Sequence, residues 1–159
     1  MQALFFALLA AGVVIADQIS KYLTVANIPL YTDVEVLPGV VGLTYVRNTG
    51  AAFSSFQGMH WLFAIIFIVF TVVIIWEYKK KSLGLTTFEW WCIAAVYGGG
   101  LGNMIDRVRF GYVIDMIETK FIDFPVFNVA DCFITCGCIA LIFHLVFFNK
   151  HFWKDEKKK

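Results

Sequence analysis

Four long apolar stretches divide the chain, and shorter polar segments connect them. A helix needs about 20 mostly apolar residues to cross the hydrocarbon core of a bilayer, and each stretch approaches that length. Tryptophans lie near the ends of the stretches, as in the aromatic belts of membrane proteins. The pattern predicts an all-α membrane protein with four transmembrane helices. The predicted spans are residues 3–25, 59–76, 88–105 and 127–148.

The two long connections, residues 26–58 and 106–126, differ in pattern. In the first, apolar residues from Val34 to Tyr45 alternate with other residues around a Pro-Gly pair, which is typical of a hairpin with one half-buried face. We therefore predict a small extracytoplasmic β-hairpin or sheet there, and a loop in the second connection. Residues 1–159 are predicted to form a single integral-membrane domain.

The composition places this pattern in a lipid bilayer. The chain is 60% hydrophobic with a mean hydropathy of +0.74, whereas soluble domains are about half apolar. The first stretch has the length of a signal-peptide core, but no Lys or Arg precedes it and it continues through Leu23, which favours a retained span. The net charge of +1 gives no reason to expect a nucleic-acid partner.

Two lysine clusters determine the predicted orientation. Three lysines, residues 79–81, follow the second span, and five more lie in the tail, residues 150–159. Short Lys-rich flanks lie on the cytoplasmic side of membranes. Both termini are therefore predicted to be cytoplasmic, and both long connections to lie outside.

Polar residues gather at the outer ends of the spans, where an ionisable side chain is costly. At membrane depth the cost is about 2.5–3.5 kcal/mol on insertion scales, so such a residue indicates function by default. On the inner side, Glu77 and Glu89 are expected only to flank the lysine-bearing loop. The asymmetry predicts a site that opens outward. The outer residues are Asp17 and Lys21 in the first span, Asn103, Asp106 and Arg107 at the end of the third, Asp115 in the loop beyond it, and Asn128 and Asp131 at the start of the fourth.

Several of these residues also have a purely structural explanation. Asp17 and Lys21 could form an i,i+4 ion pair, and Asn48 could be a turn residue. Asn128 could cap the fourth helix, and Asp131 could favour the positive end of its dipole. These alternatives explain individual residues but give no account of Asp115.

Glycines and cysteines inside the spans are interpreted as packing residues. Residues 98–102 contain a Gly-x-x-x-Gly spacing, which lets helices approach closely in a bilayer. The four cysteines lie in apolar runs, which favours small core residues over disulfides. No histidine stands at ligand spacing from them, so neither a metal nor another cofactor is predicted.

Asp115 and Asp131 are the candidate catalytic pair. If their carboxylates lie within a few ångströms, desolvation and repulsion leave a pair that shares one proton. The charged member can then take a proton from a water that attacks a peptide carbonyl, while the neutral member donates a hydrogen bond to the developing oxyanion. The alternative is a non-enzymatic lipid-binding, ion-binding or transport protein that uses the same cluster. A relay across the membrane would need polar residues on the inner side too.

Five motifs, in order along the chain, carry a resemblance to a known family. With these motifs the chain resembles lipoprotein signal peptidase, the type II signal peptidase of bacteria, over nearly its whole length. The motifs are DQISK at 17–21, RNTGAAFS at 47–54, GGGLGNMIDR at 98–107, VID at 113–115 and FNVAD at 127–131.

The resemblance implies an aspartic peptidase of the bacterial inner membrane with its site near the outer leaflet. Such an enzyme removes the signal peptide of prolipoproteins by cutting before a cysteine that carries diacylglycerol. Its catalytic aspartates match Asp115 and Asp131. The residues that match its substrate-binding or globomycin-binding positions are Asn48, Asn103, Arg107 and Asn128, and those that match supporting positions are Asp17, Lys21, Asp106 and Gly50.

One residue departs from the pattern of the family, and Arg107 has two possible roles. The chain has Met116 where the family usually has Phe, an apolar exchange that removes no chemical group. Arg107 could bind a polar or anionic group of a lipid headgroup, and the alternative is a structural salt bridge to a nearby acid.

Overall fold

The part of the chain that the structure describes contains four helices and three strands. The computed structural model describes residues 1–50 and 59–151. Residues 51–54 of the second motif, Trp153 and the lysines at 154 and 157–159 lie outside the described residues. The elements, in chain order, are α1 (Gln2–Asn27), β1 (Asp33–Leu37), β2 (Val41–Asn48), α2 (His60–Lys80), α3 (Thr87–Phe110), β3 (Val113–Thr119) and α4 (Val129–Phe147).

The four predicted helices are present close to their predicted bounds. Within the described ranges, three of them are long and apolar enough to cross a membrane, namely α1, α2 from Trp61 onward, and α4. α3 has 24 residues, but it is less apolar because it contains glycines and charged side chains near both ends. The three apolar helices give the chain the character of a multi-pass membrane protein.

α3 is the centre of the helical bundle, and its glycines allow α1 and α4 to approach it closely. A Cβ atom built on Gly98 would lie 2.7 Å from the backbone oxygen of Ala10 in α1, and one on Gly99 would lie 2.5 Å from the backbone oxygen of Ala130 in α4. The packing interpretation of the glycine-rich motif is confirmed. α2 makes far fewer contacts, mainly with α3.

The substitution Gly99→Ala should lower the thermal unfolding temperature in detergent. The new methyl group would meet a backbone oxygen that moves only if α4 shifts, and overpacking of this kind costs about 1–3 kcal/mol. The control is Gly12→Ala, whose Cβ would have nothing within 4 Å. It should leave the unfolding temperature unchanged or slightly higher, because Ala is the better helix former. Equal effects of the two substitutions would contradict the close approach of α3 and α4.

A three-stranded antiparallel sheet lies at the end of the bundle where α1 and α3 end and α4 begins, which we call the site end. β1 and β2 form the predicted hairpin, and β2 also pairs with β3. A loop was predicted where β3 lies, and Asp115 was placed in that loop. That prediction is wrong, because β3 forms by pairing with a strand about 70 residues earlier in the chain.

β3 is also fixed by its apolar side chains. Ile114 and Met116 pack with Ile28 and Tyr45 in a buried cluster between the sheet and the end of α1. Met116 is 2% exposed. Because side chains alternate between the faces of a strand, Met116 lies on the face opposite to Asp115 and packs behind that carboxylate.

Polar groups are also buried at the opposite end of the bundle, where only a flanking role was predicted. Glu89 is fully buried and accepts hydrogen bonds from the backbone N–H of Thr86 at 2.6 Å and from Nδ2 of Asn149 at 2.8 Å. Its Oε1 lies 2.9 Å from Nδ1 of His144. Glu77 is buried too and accepts two hydrogen bonds from the turn after α2. The prediction is wrong because turns and helix starts leave N–H groups that need acceptors.

Candidate active site

Asp115 lies in β3, on the same face of the sheet as Asn48 at the end of β2. The register pairs Asp115 with Val46 and Asn48 with Val113, and side chains two apart share a face. Nδ2 of Asn48 donates a hydrogen bond of 2.9 Å to Oδ2 of Asp115. Oδ1 of Asn48 accepts one of 2.9 Å from the backbone N–H of Gly50. Asn48 therefore fixes a turn and contacts the candidate carboxylate at the same time.

Asn128 and Asp131 form the start of α4. The backbone N–H of Asp131 donates to Oδ1 of Asn128 at 3.0 Å, and the backbone N–H of Asn128 donates to Oδ2 of Asp131 at 3.1 Å. This reciprocal capping box satisfies N–H groups that the first turn of a helix leaves unpaired. The capping role predicted for Asn128 is confirmed, and Asp131 lies where the helix dipole favours a negative charge.

Two amide side chains connect the two candidate carboxylates. Nδ2 of Asn128 donates to Oδ1 of Asp115 at 2.6 Å and to Oδ1 of Asn103 at 3.0 Å. Nδ2 of Asn103 donates in turn to Oδ1 of Asp131 at 2.8 Å. Asp115 is buried and Asp131 is half-buried. The structure thus brings these four predicted site residues into one hydrogen-bonded network.

Burial raises the pKa of Asp115 to about 6, above its usual value of 3.8. The hydrogen bond from Asn48 lowers this pKa, the negative charge of Asp131 raises it, and both Asn128 and Lys21 lower it. A carboxyl with a pKa near 6 exchanges its proton close to neutral pH, which suits an acid–base group.

The stability of the folded protein should depend on pH through Asp115. Because its folded pKa lies above its unfolded value, its contribution to stability is complete below about pH 4 and is lost as the pH rises through about 6. Relative to Asp115→Asn, which does not titrate, the unsubstituted protein should lose about 3 kcal/mol over this range, at about 1.4 kcal/mol per pKa unit. Thermal unfolding in detergent at a series of pH values measures this difference. A difference that stays constant with pH would contradict the raised pKa.

Lys21 is the buried cation of a second network, which adjoins the first through Asn103. Its Nζ lies 2.8 Å from Oδ2 of Asp17, 2.9 Å from Oδ2 of Asp106 and 2.9 Å from Oδ1 of Asn103. All three charged side chains are at most 2% exposed. The predicted ion pair of Asp17 and Lys21 is confirmed, and it extends from α1 to α3.

Asp17 and Asp106 also hold the backbone beside the candidate carboxylates. Oδ1 of Asp17 accepts a hydrogen bond of 3.0 Å from the N–H of Ala130, which precedes Asp131. Oδ2 of Asp106 accepts one of 3.1 Å from the N–H of Ile114, which precedes Asp115. The ion network therefore positions the main chain of both α4 and β3 next to the candidate site.

Gln18 supports this network and was missed in the sequence analysis. Its Nε2 donates to Oδ1 of Asp106 at 2.9 Å and lies 3.2 Å from Oδ2 of Asp17 and 3.3 Å from the backbone oxygen of Gly102. Its position in the motif DQISK, between Asp17 and Lys21, was the sequence feature that could have indicated this role. A polar side chain beside a buried ion pair in an apolar helix must find hydrogen-bond partners.

Arg107 lies beside the site and is joined to backbone oxygens. Nη2 donates to the backbone oxygen of Gly50 at 2.9 Å, and Nη1 donates to that of Asn103 at 3.3 Å. Its Cζ lies 4.2 Å from the centre of the Phe63 ring in α2. No acid among the described residues forms a salt bridge with this guanidinium, so that alternative is not supported. Gly50 contributes to the site through its N–H and its carbonyl oxygen.

A cavity of about 440 Å³ borders both candidate carboxylates and follows the first turns of α4. Cys136 is exposed and Cys132 is half-buried in its wall, and Cys138 is also half-buried, whereas Cys92 is buried. The prediction that all four cysteines are core residues is wrong for Cys136, because that part of α4 faces the cavity. The lining residues are Asn48, Asp115, Phe124, Pro125, Val126, Phe127, Asp131, Cys132, Thr135 and Cys136.

Comparison with known families gives one match that spans most of the chain. Residues 9–147 match the family described as signal peptidase (SPase) II. This range contains every residue of the two networks described above. The family match and the site geometry therefore concern the same part of the chain.

Individual relatives are similar over nearly the whole chain. The lipoprotein signal peptidase of Enterococcus faecalis is 44% identical over 150 residues, which cover 90% of this chain and 88% of that protein. The lipoprotein signal peptidase of Streptococcus agalactiae serotype Ia is 39% identical over 156 residues, which cover 98% and 96%. A bacterial membrane enzyme solved by the in meso method at 2.3 Å resolution is 34% identical with a TM-score of 0.81, covering 98% of this chain and 92% of that one.

Proposed function

The chain belongs to the signal peptidase II family, and from this premise we propose that it is an aspartic endopeptidase that removes signal peptides from prolipoproteins. The proposed cut lies just before a cysteine that carries diacylglycerol. One observation carries the proposal, namely that Asp115 and Asp131 belong to one hydrogen-bonded network and border one cavity. The names of the relatives suggest the substrate, and the two carboxylates suggest the chemistry.

In the proposed mechanism, the two carboxylates hold one proton between them. The ionised carboxylate accepts a proton from water as the water oxygen bonds to the peptide carbonyl carbon, and the protonated carboxyl donates a hydrogen bond to the carbonyl oxygen. The carbon–nitrogen bond then breaks as the carboxyl that accepted the proton of the water passes it to the leaving nitrogen. The raised pKa of Asp115, about 6, favours it as the protonated member of the pair.

The amide side chains are proposed to orient these carboxylates toward the substrate. Asn48 and Asn128 each donate to one oxygen of Asp115, and Asn103 donates to Asp131. Preorganised donors of this kind need no rearrangement when charge develops at the site. Arg107 is proposed to use its further N–H groups for a substrate carbonyl or for the headgroup side of the lipidated cysteine.

We infer that all four helices cross a bacterial inner membrane and that residues 1–159 form one domain. The charged residues of α3 lie near its ends, where the membrane interface can receive them. The lysines at 79–81 and in the tail support a cytoplasmic position for that end and for both termini, and the site end is then proposed to lie near the outer leaflet. Acyl chains of the substrate can then remain in lipid while the scissile bond reaches the carboxylates.

Cleavage of a lipidated precursor tests the proposal. The purified protein in detergent is mixed with a diacylglyceryl-modified prolipoprotein and, in parallel, with the same precursor bearing an unmodified cysteine. We expect cleavage of the modified precursor alone, a new N-terminus at the lipidated cysteine by mass spectrometry, and inhibition by globomycin. A chelator should leave the rate unchanged, and loss of activity with chelator would contradict the metal-free mechanism. Binding of the precursor without cleavage would favour the alternative lipid-binding or transport function.

A further inference from the structure

A second groove, with one apolar and one polar half, lies at the end of the bundle opposite the site. The apolar half has a volume of about 200 Å³ and the polar half about 260 Å³. Both halves are lined by Gln2 of α1, Tyr78 of α2 and Trp90 of α3, so the apolar and the polar part adjoin at these three side chains. None of these three residues belongs to the networks around the candidate carboxylates.

The groove exists because α2 stands apart from α1. In the described parts of the chain the backbones of these two helices hardly approach each other, although α3 packs against both. The apolar half is walled by Ala3 and Phe6 from α1 and by Ile74 and Ile75 from α2. A gap with such walls at membrane depth suits an apolar ligand. The apolar molecules around the protein at that depth are the acyl chains of lipids.

Lys81 gives the polar half its charge. It is exposed, and it forms no ion pair with any residue that the structure describes. Glu77 lines the same half but is 3% exposed, and its oxygens already accept hydrogen bonds from Oγ of Ser82 and the N–H of Leu83. The accessible charge in the lining of this half is therefore positive. A phosphate group complements this charge.

We propose that this groove binds one anionic phospholipid of the cytoplasmic leaflet, with an acyl chain between α1 and α2 and the headgroup phosphate at Lys81. The assignment to that leaflet rests on the proposed membrane orientation, whereas binding of the lipid does not require peptidase activity. The lipid fills the space that protein side chains leave between the two helices and so supports α2 against the bundle.

Native mass spectrometry of the full chain tests this proposal. Phosphatidylglycerol or phosphatidylcholine with the same acyl chains is added, and the protein is then released from detergent. The protein should bind phosphatidylglycerol about fivefold more tightly, the equivalent of about 1 kcal/mol for one lysine near an anionic headgroup. Lys81→Gln should abolish this preference. Lys79→Gln makes the same change outside the lining of the groove and should retain it.

A second pair of variants tests the apolar half. Ala3→Trp should fill that half and reduce the binding of both lipids at least about fivefold, in proportion to the apolar area withdrawn from the acyl chain. Ala16→Trp, about 20 Å further along α1, on another face of the helix and outside the lining, should bind like the unsubstituted protein. Both positions are exposed, so neither substitution disturbs the packing of the core.

Equal binding of the two lipids by the unsubstituted protein, or equal effects within either pair of variants, would overturn the proposal. Precursor cleavage measured on the same variants separates it from the peptidase function. Selective lipid binding without cleavage would support the groove and count against the peptidase. Normal cleavage with unselective lipid binding would overturn the groove alone.

Discussion

Asp115→Asn and Asp131→Asn should each slow cleavage of a lipidated precursor by about 10³-fold or more. An amide can neither accept the proton of the attacking water nor return one to the leaving nitrogen, and a positioned acid–base group contributes about 10²–10⁴-fold. Because the two carboxylates are proposed to act as a unit, the double variant should be no slower than either single variant. Initial rates in detergent, at one pH and one precursor concentration, measure the effect.

The matched control is Asp123→Asn, which makes the same chemical change on an exposed carboxylate beyond β3. It should keep full activity. Thermal unfolding must show that both site variants fold, because each loses an acceptor for an asparagine side chain. A folded Asp131→Asn or Asp115→Asn protein with near-normal turnover would show that the pair is not catalytic.

Lys21→Met should lower the free energy of unfolding by about 3–5 kcal/mol. Removing one member of a buried ion network leaves the other charges uncompensated in a medium of low dielectric constant. Here Asp17 and Asp106 would lose their shared cation, and Oδ1 of Asn103 would lose one of its two donors. Thermal or denaturant unfolding of the purified protein in detergent measures the loss.

Lys120→Met is a matched control for this substitution. Lys120 also pairs with two carboxylates, but Asp33 is 57% exposed and Glu118 is 30% exposed. Water screens such surface pairs, so their contribution to stability is small. The control should unfold close to the unsubstituted protein. A similar loss in both variants would mean that the contribution of the Lys21 network to the free energy of unfolding does not depend on its burial.

The helices could be predicted from the sequence because a bilayer fixes the length of an apolar span. Three local features could be predicted for a similar reason, since each depends on residues close together in the chain. They are the capping role of Asn128, the i,i+4 pair of Asp17 and Lys21, and the hairpin of β1 and β2. Five short motifs then connected these local features to a family. Local periodicity and capping rules account for this part of the fold.

Features that depend on distant segments could not be predicted in the same way. β3 pairs with β2 across about 70 residues, and Gln18 reaches Asp106 across 88. The connection from Asp115 through Asn128 and Asn103 to Asp131 requires β3, α3 and α4 to meet at one point. The buried position of Glu89 likewise depends on the end of α4 folding over the start of α3. No pattern within one segment carries this information.

Asn128 constrains how the protein could escape an inhibitor. The same side chain begins α4, donates to Asp115 and accepts from the N–H of Asp131. Asn128 is fully buried, and a substitution there would loosen the first turn of the helix and displace both acids. Resistance to an inhibitor of this cavity should therefore arise at Cys132, Thr135 or Cys136, which line the cavity and do not connect the two carboxylates. Inhibitors anchored on Asp115 and Asp131, which Asn128 helps to hold in place, should accordingly retain their potency longer than those that depend on these three side chains.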